Sequence, residues 1–305
     1  MPIKVLLGFN GSAESKDGLR LAEQLADLFD AELVVGCAYV RQLPFGRSPD
    51  SEYQRYLQEV AEQAATEVRE LLARRSGSTV RVVASDSPAH ALHDLAEEVE
   101  AQIIVIGSSH RAQTGTILPG GTGRQLLRGT PCAVAVAQHG YRLETRRPFA
   151  TIGAAYDGSP ESADAVLTAG KIACAAGAPL EIERVVWFPQ PGEEHLIPAW
   201  QADIDALAAH ADEQMRAVID SLGEGISASG RTVRGGATAE LVEWSDRLDL
   251  LVLGSRSYGP LRQVLLGSTS AELIRWARCP VMVVPRGVER LLDAWTGSPA
   301  GAARR

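Results

Sequence analysis

An internal repeat that spans almost the whole chain constrains its fold more than any other feature of the sequence. Four anchors recur at a constant spacing of 147 residues: Asn10 and Asp157, Gly107 and Gly254, Gly120 and Gly267, and Cys132 and Cys279. The register shifts only around Leu92 and Leu241, where one loop must differ in length between the copies. Solenoid repeats are far shorter than this period, so each copy is predicted to be a domain.

The length and composition agree with two globular domains. A chain of 305 residues can bury two cores of ordinary size, and 45% hydrophobic with 22% charged residues is typical of globular proteins. We expect a first domain at residues 1–138, a linker at 139–148, a second domain at 149–286, and a partly disordered tail at 287–305.

Short apolar runs alternate with helical patterns in both halves. The predicted strands of the first half are Ile3–Phe9, Glu32–Val40, Thr79–Ala84, Ile103–Ile106 and Cys132–Ala137. Those of the second half are Thr151–Ala155, Leu180–Val186, Thr232–Gly235, Leu250–Leu253 and Val281–Val284. This alternation predicts an α/β fold in which each domain is a doubly wound parallel sheet with helices on both faces.

Charge and composition exclude several classes of partner. The net charge of −8 and the scattered arginines argue against a nucleic-acid surface. No apolar stretch reaches the length of a membrane span, and the first residues enter a strand without a signal-peptide pattern. The four cysteines form no CxxC motif and are expected to be reduced thiols of a cytoplasmic protein.

The repeated glycines and the residues after the first strands predict a ligand crevice. In a doubly wound sheet, ligands bind beyond the carboxyl ends of the strands where the strand order reverses. Asn10 and Asp157 follow the first strand of each half, and Gly107 and Gly254 follow the fourth. The second glycine of each pair precedes a short helix whose N-terminus could receive a phosphate. Asp157 could then accept hydrogen bonds from ribose hydroxyls or adenine.

The same residues also fit a purely structural interpretation. The segments Thr122–Gln125 and Thr269–Glu272 match a capping box, so the threonines could simply satisfy helix N–H groups. Gly107 and Gly254 could be ordinary turns between a strand and a loop. No P-loop lysine follows the glycines, so the loop is not a Walker A motif. Spacing alone leaves both interpretations open.

Combined, the motifs resemble a known family. The segment YDGSPES at 156–162, the spacing G-x-x-G-x9-G-[S/T] and the triplet CPV at 279–281 are together similar to the universal stress protein domain. The resemblance covers about residues 1–138 and 149–286. It implies a tandem protein with a five-stranded, Rossmann-like parallel sheet in each domain, and ATP bound at the crevice as in many members.

The second copy matches the nucleotide-binding pattern of this family more closely. Asp157 matches the aspartate that touches the nucleoside, and Gly254, Gly267 and Ser268 match phosphate-loop positions, with Thr269 following. Ser257 stands where the second glycine of the loop is expected.

The first copy departs further from the pattern. Asn10 replaces the aspartate, His110 replaces the second glycine, and Gly121 replaces the serine or threonine that precedes Thr122. Only Gly107 and Gly120 remain of the loop glycines, although Gly120 and Gly121 still form a permissive anion nest. We therefore expect the second site to bind nucleotide better than the first.

Two functions remain after this comparison. One is a stress-response or signalling module that binds ATP, or AMP or ADP, with which Mg²⁺ could associate. The other is an interaction scaffold that has lost nucleotide binding and needs no cofactor. No catalytic constellation is visible, so an ATP-consuming enzyme is the least supported class. The pair His90 and His93 fits a solvated helix face better than a metal site.

Assembly is predicted from the last strand of each half. Each would lie at a sheet edge, and exposed edges are a liability. In the resembled family this strand commonly pairs with its counterpart in another domain. We expect Cys132–Ala137 and Cys279–Val284 to meet within one chain as a pseudo-twofold dimer, and the resemblance also allows a homodimer of two chains.

Overall fold

A computed structural model of the chain describes residues 2–41, 51–109, 121–127, 129–143, 149–187, 197–223, 225–255 and 268–285. The first half contains β1 (Lys4–Gly8), α1 (Ala13–Phe29), β2 (Glu32–Val40), α2 (Ser51–Leu71), β3 (Ser78–Ser85), α3 (Pro88–Val99), β4 (Ile103–Gly107), α4 (Gly121–Leu126) and β5 (Ala133–Ala137). A 3-10 turn, Tyr141–Leu143, follows. The second half contains β6 (Ile152–Ala155), α5 (Pro160–Ala176), β7 (Leu180–Val186), α6 (Ile197–Asp220), β8 (Ala228–Arg234), α7 (Ala237–Ser245), β9 (Leu250–Gly254), α8 (Ser268–Trp276) and β10 (Val281–Val284).

The strands form one continuous ten-stranded sheet in the order β3-β2-β1-β4-β5-β10-β9-β6-β7-β8. Within each half the described pairs are parallel, and both halves have the same strand order. The α/β fold class and the duplicated, doubly wound topology predicted from the sequence are therefore confirmed.

The two halves join through their last strands. β5 and β10 pair antiparallel, with Val281 opposite Val136, Met282 opposite Ala135 and Val283 opposite Val134. This pairing confirms the predicted pseudo-twofold contact within one chain, and it converts two sheet edges into the centre of the sheet.

Hydrophobic layers cover both faces of the sheet. Alternate strand residues point to opposite faces, so Val5 and Leu7 join one layer and Leu6 joins the other. One layer packs under α1, α2, α5 and α6, and it runs across the seam between the halves. The other packs under α3, α4, α7 and α8.

Two segments differ from what their sequences suggest. The strand predicted at Thr232–Gly235 is longer in the structure and spans Ala228–Arg234. The prediction missed its first residues because they form an exposed sheet edge and contain no apolar run. The segment after β5 also packs against α1. The Asp17 carboxylate, which is fully buried, accepts hydrogen bonds from the backbone N–H groups of Gly140 and Arg142 and from the Arg142 guanidinium.

Candidate functional site

The sheet topology brings the predicted strand-end residues together in each half. β1 lies beside β4, and β6 lies beside β9, as the crevice hypothesis requires. Asn10 and Gly107 therefore lie at neighbouring strand ends in the first half, as Asp157 and Gly254 do in the second. Strand order also reverses here, which is where doubly wound sheets place ligands.

Asn10 and Asp157 each organise a tight turn into the following helix. The Asn10 Oδ1 accepts a hydrogen bond from the Ser12 N–H at 3.1 Å. The Asp157 Oδ1 accepts one from the Ser159 N–H at 3.0 Å and a second from the Ser159 Oγ at 2.5 Å. Both side chains are exposed, so the aspartate differs from the asparagine mainly in its charge and in its additional bond from a hydroxyl.

The serines of these turns cap the next helices. The Ser12 hydroxyl accepts from the Ser15 N–H, and the Ser159 hydroxyl accepts from the Ser162 N–H, with Pro160 in the first turn of α5. Ser12 and Ser159 are therefore the N-caps of α1 and α5.

Gly107 and Gly254 have a packing role that their sequence motif does not reveal. A Cβ at Gly107 would lie 1.9 Å from the Glu14 carbonyl oxygen in the first turn of α1. A Cβ at Gly254 would lie 2.4 Å from the Glu161 carbonyl oxygen in α5. Because the opposing atoms are helix backbone, neither position accepts a larger residue without displacing the helix. Glycine is required here whether or not a ligand binds.

A guanidinium lies beside the strand end that carries Asp157. Arg184 on β7 lies over the Tyr156 ring, with its Cζ 5.7 Å from the ring centroid. Its Nη1 donates to the Gln214 Oε1 of α6 at 2.5 Å. The pKa of Tyr156 is raised, chiefly by burial, against the opposing effect of Arg184. Asp157 raises the pKa of Tyr156 further, so these groups share one electrostatic environment.

The first half has a buried thiol in place of that arginine. Cys37 occupies the position of Arg184 at the spacing of 147 residues. Burial raises the pKa of Cys37 to about 11, so the thiol is protonated at neutral pH and is no nucleophile. Arg184 and Gln214 were missed by sequence reasoning, because nothing local in the sequence places either of them at the end of β6.

The phosphate side of the crevice is described in part. His110, Gly120, Ser257 and Gly267 lie outside the described residues. Gly121 begins α4 and Ser268 begins α8, so Thr122 and Thr269 each lie second in a helix. The residues just before both helices lie outside the described part of the chain, so the capping-box interpretation stays a prediction.

The other candidate site, the two histidines of α3, lies on an open surface. The His90 Nδ1 lies 2.5 Å from the Asp86 carboxylate, and the side chain is 65% exposed. His90 and His93 line an open surface cavity of about 670 Å³. Among the described residues, no group of three His, Cys, Asp or Glu side chains could hold a metal ion.

Comparison with known proteins decides the family. The profile of the Universal stress protein family matches residues 1–138 and again residues 148–285. The chain belongs to this family. Its two matches account for the repeat, and a tandem universal stress protein is the arrangement that the sequence predicted.

Similar proteins align with this chain along nearly their full length. A universal stress protein of Mycobacterium tuberculosis is 28% identical over 297 residues, covering 92% of this chain and 99% of the relative. One from Mycolicibacterium smegmatis is 27% identical over 287 residues, covering 92% and 96%. The crystal structure of a universal stress protein from Archaeoglobus fulgidus covers 93% of this chain and 98% of its own, with a TM-score of 0.69 and 22% identity. That structure supports the fold alone.

No helix among the described residues has the length and apolar character that crossing a membrane requires.

Proposed function

We propose that this universal stress protein is a stress-response or signalling module that binds ATP, and that its second domain, residues 149–286, binds better than its first, residues 1–138. The observation that carries the proposal is the exposed Asp157 carboxylate at the end of β6, beside Gly254 and the crevice. A carboxylate is a stronger acceptor for ribose hydroxyls than an amide, and two hydrogen bonds from Ser159 orient this one.

The phosphates would lie on the β9 side of Asp157, towards the N-terminus of α8. A helix N-terminus offers free N–H groups and a positive dipole end to an anion, and α8 is nine residues long. In this arrangement Gly254, Ser257, Gly267, Ser268 and Thr269 form the phosphate loop of the second domain. The weaker first site consists of Asn10, Gly107, His110, Gly120, Gly121 and Thr122. Four unpaired thiols are consistent with action in the cytoplasm.

Titration calorimetry with ATP tests the proposal. Losing the charged acceptor at Asp157 should cost on the order of 1.5–3 kcal/mol, roughly ten- to a hundredfold in affinity. Asp157→Ala should therefore remove most binding, and Asn10→Ala, the matched control, should change it little. A larger loss with Asn10→Ala would reverse the ranking of the two sites.

A second function is favoured by the packing of Gly107 and Gly254. Because both glycines are required against the helix backbone, they do not by themselves indicate a ligand. The alternative is a non-enzymatic interaction scaffold without nucleotide. Wild-type protein that releases no heat with ATP and does not compete for a fluorescent ATP analogue would exclude ATP binding and leave the scaffold as the remaining proposal.

A further inference from the structure

The end of β1 lies against a carboxylate that comes from a different element of the fold. The Glu67 Oε2 of α2 lies 3.1 Å from the position that a Cβ on Gly11 would occupy. Gly11 has a φ of +80°, so its turn favours glycine, and the missing side chain lets Glu67 approach the backbone next to Asn10. The other oxygen, Oε1, forms an ion pair with the Lys16 Nζ of α1 at 2.6 Å.

The second half carries an amide at the equivalent place. Gln214 stands 147 residues after Glu67, and its Oε1 lies 2.8 Å from the position of a Cβ on Gly158. Ala163 stands where the first half has Lys16. The cation beside Gln214 is Arg184, from the neighbouring strand. The carboxylate and the amide have thus exchanged positions: Asn10 with Glu67 in the first half, and Asp157 with Gln214 in the second.

We propose that Glu67 supplies the first domain with the ribose-binding carboxylate that Asn10 cannot provide, so that the first crevice is also a nucleoside site. This inference rests on the function proposed above. The amide oxygen of Asn10 already accepts from the Ser12 N–H, and an amide is a weaker acceptor than a carboxylate. Glu67 brings a full negative charge to the same strand end.

The pairing of Glu67 with Lys16 limits the strength of this site. Both side chains are partly exposed, at 38% and 35%, so the ion pair orients the carboxylate without removing it from water. Ribose hydroxyls must share the carboxylate with Lys16. The first site is therefore weaker than the second but specific for a ligand with ribose hydroxyls.

The test isolates the first site by placing Asp157→Ala in the full chain. In this background, Glu67→Gln should weaken ATP binding about tenfold, the loss expected for one charged hydrogen bond. Glu70→Gln, a change of an exposed residue on the same helix, is the matched control and should leave the affinity unchanged. The dissociation constants come from calorimetry or from competition with a fluorescent ATP analogue.

A ligand without ribose hydroxyls separates direct contact from a structural effect. With Glu67 present, 2′,3′-dideoxy-ATP should bind about tenfold more weakly than ATP, and this difference should vanish in Glu67→Gln. If Glu67→Gln weakens both ligands equally, Glu67 supports the fold and the proposal is overturned.

The reciprocal exchange gives a second variant. In a chain that carries both Glu67→Gln and Asp157→Ala, Gln214→Glu should recover about tenfold in ATP affinity, since it recreates in the second half the carboxylate that Glu67 provides in the first. If Gln214→Glu restores no affinity, the inferred exchange of carboxylate and amide between the two halves is wrong.

The failure of this inference is distinguishable from the failure of the proposed function. If wild-type protein binds ATP and Asp157→Ala abolishes all binding, the first crevice is no site and the inference alone fails. If wild-type protein binds no ATP, both fail.

Discussion

The ends of β1 and β6 each have a carboxylate and a cation nearby, but different elements of the fold supply them. At the end of β6 the charged groups are Asp157 at the strand end and Arg184 on the adjacent strand, which lies over the Tyr156 ring. At the end of β1 the pair is Glu67 on α2 and Lys16 on α1. Each end thus has one carboxylate and one cation that its counterpart lacks.

This difference shows why comparing single positions misleads. Aligned at 147 residues, Asn10 looks like the loss of Asp157, and Glu67 looks like an unrelated change from Gln214. In three dimensions both changes lie at the same strand end, because α2 and α6 pack against the turns at Gly11 and Gly158. The repeat conserves the charge at the site better than it conserves the residues that carry it.

The largest effect that should separate the halves is steric. Gly107→Ala places a Cβ 1.9 Å from the Glu14 carbonyl oxygen, whereas Gly254→Ala leaves 2.4 Å to the Glu161 carbonyl oxygen. We expect the free energy of unfolding to fall by about 3 kcal/mol or more for the first change and by about 1–3 kcal/mol for the second. Urea unfolding measures both.

Gly121→Ala is the control for these variants, because a Cβ at Gly121 meets no atom of the described residues within 4 Å. It should change the stability little. If Gly254→Ala cost as much as Gly107→Ala, the tighter packing of α1 than of α5 would have no energetic consequence.

The next effect concerns the contact between α1 and the segment after β5. Asp17→Ala removes a buried carboxylate that accepts from Gly140 and twice from Arg142, so we expect a loss of about 3 kcal/mol. The equivalent Asp164 on α5 is only half-buried, and Asp164→Ala should cost about 1 kcal/mol.

Trypsin cleavage after Arg142 gives a second measurement. It should accelerate strongly in Asp17→Ala and stay near the wild-type rate in Asp164→Ala. Equal acceleration in both variants would mean that Asp17 does not hold this segment.

A smaller effect concerns the two nucleotide sites. Wild-type protein should bind two ATP molecules with dissociation constants about tenfold apart, a difference of about 1.4 kcal/mol, because Lys16 competes for Glu67. Calorimetric titration of the wild type resolves the two steps. A single class of site would contradict the asymmetry, and the variants of Asp157 and Glu67 identify which step belongs to which half.

Much of the fold was predictable, and particular residues show where prediction ends. The repeat fixed the topology, and the apolar strands before Gly107 and Gly254 fixed the position of the crevice. Long-range pairs were not predictable, since neither Glu67 nor Arg184 lies near its strand end in sequence. The length of the edge strand β8 was underestimated, because Ser229, Gly230 and Arg231 show no alternation of apolar and polar residues. The packing role of Gly107 required knowing that the first turn of α1 passes over the end of β4.

The smallest effect is a pH dependence of stability that comes from a buried carboxyl group with no counterpart at the equivalent position of the first half. Glu183 on β7 stands where the first half has Gly36, and it is 1% exposed. Its Oε2 accepts from Arg231, and its Oε1 is buried without a hydrogen-bond partner in the described part of the chain. Burial raises the pKa of Glu183 and a nearby Glu240 adds to this, while Arg231 and Arg247 oppose it.

A raised pKa means that the folded chain binds the proton more tightly than the unfolded chain does. The free energy of unfolding contributed by Glu183 is therefore fully present below the unfolded pKa of about 4.3 and is lost as the pH rises through the folded pKa. Relative to Glu183→Gln, wild-type protein should become more stable as the pH falls from 7.5 to about 5, as read from urea unfolding. Glu98→Gln, which changes an exposed partner of Arg81 in the first half, should leave the wild-type pH dependence intact. A wild-type advantage that stays constant or shrinks on acidification would show that Arg231, rather than burial, governs Glu183.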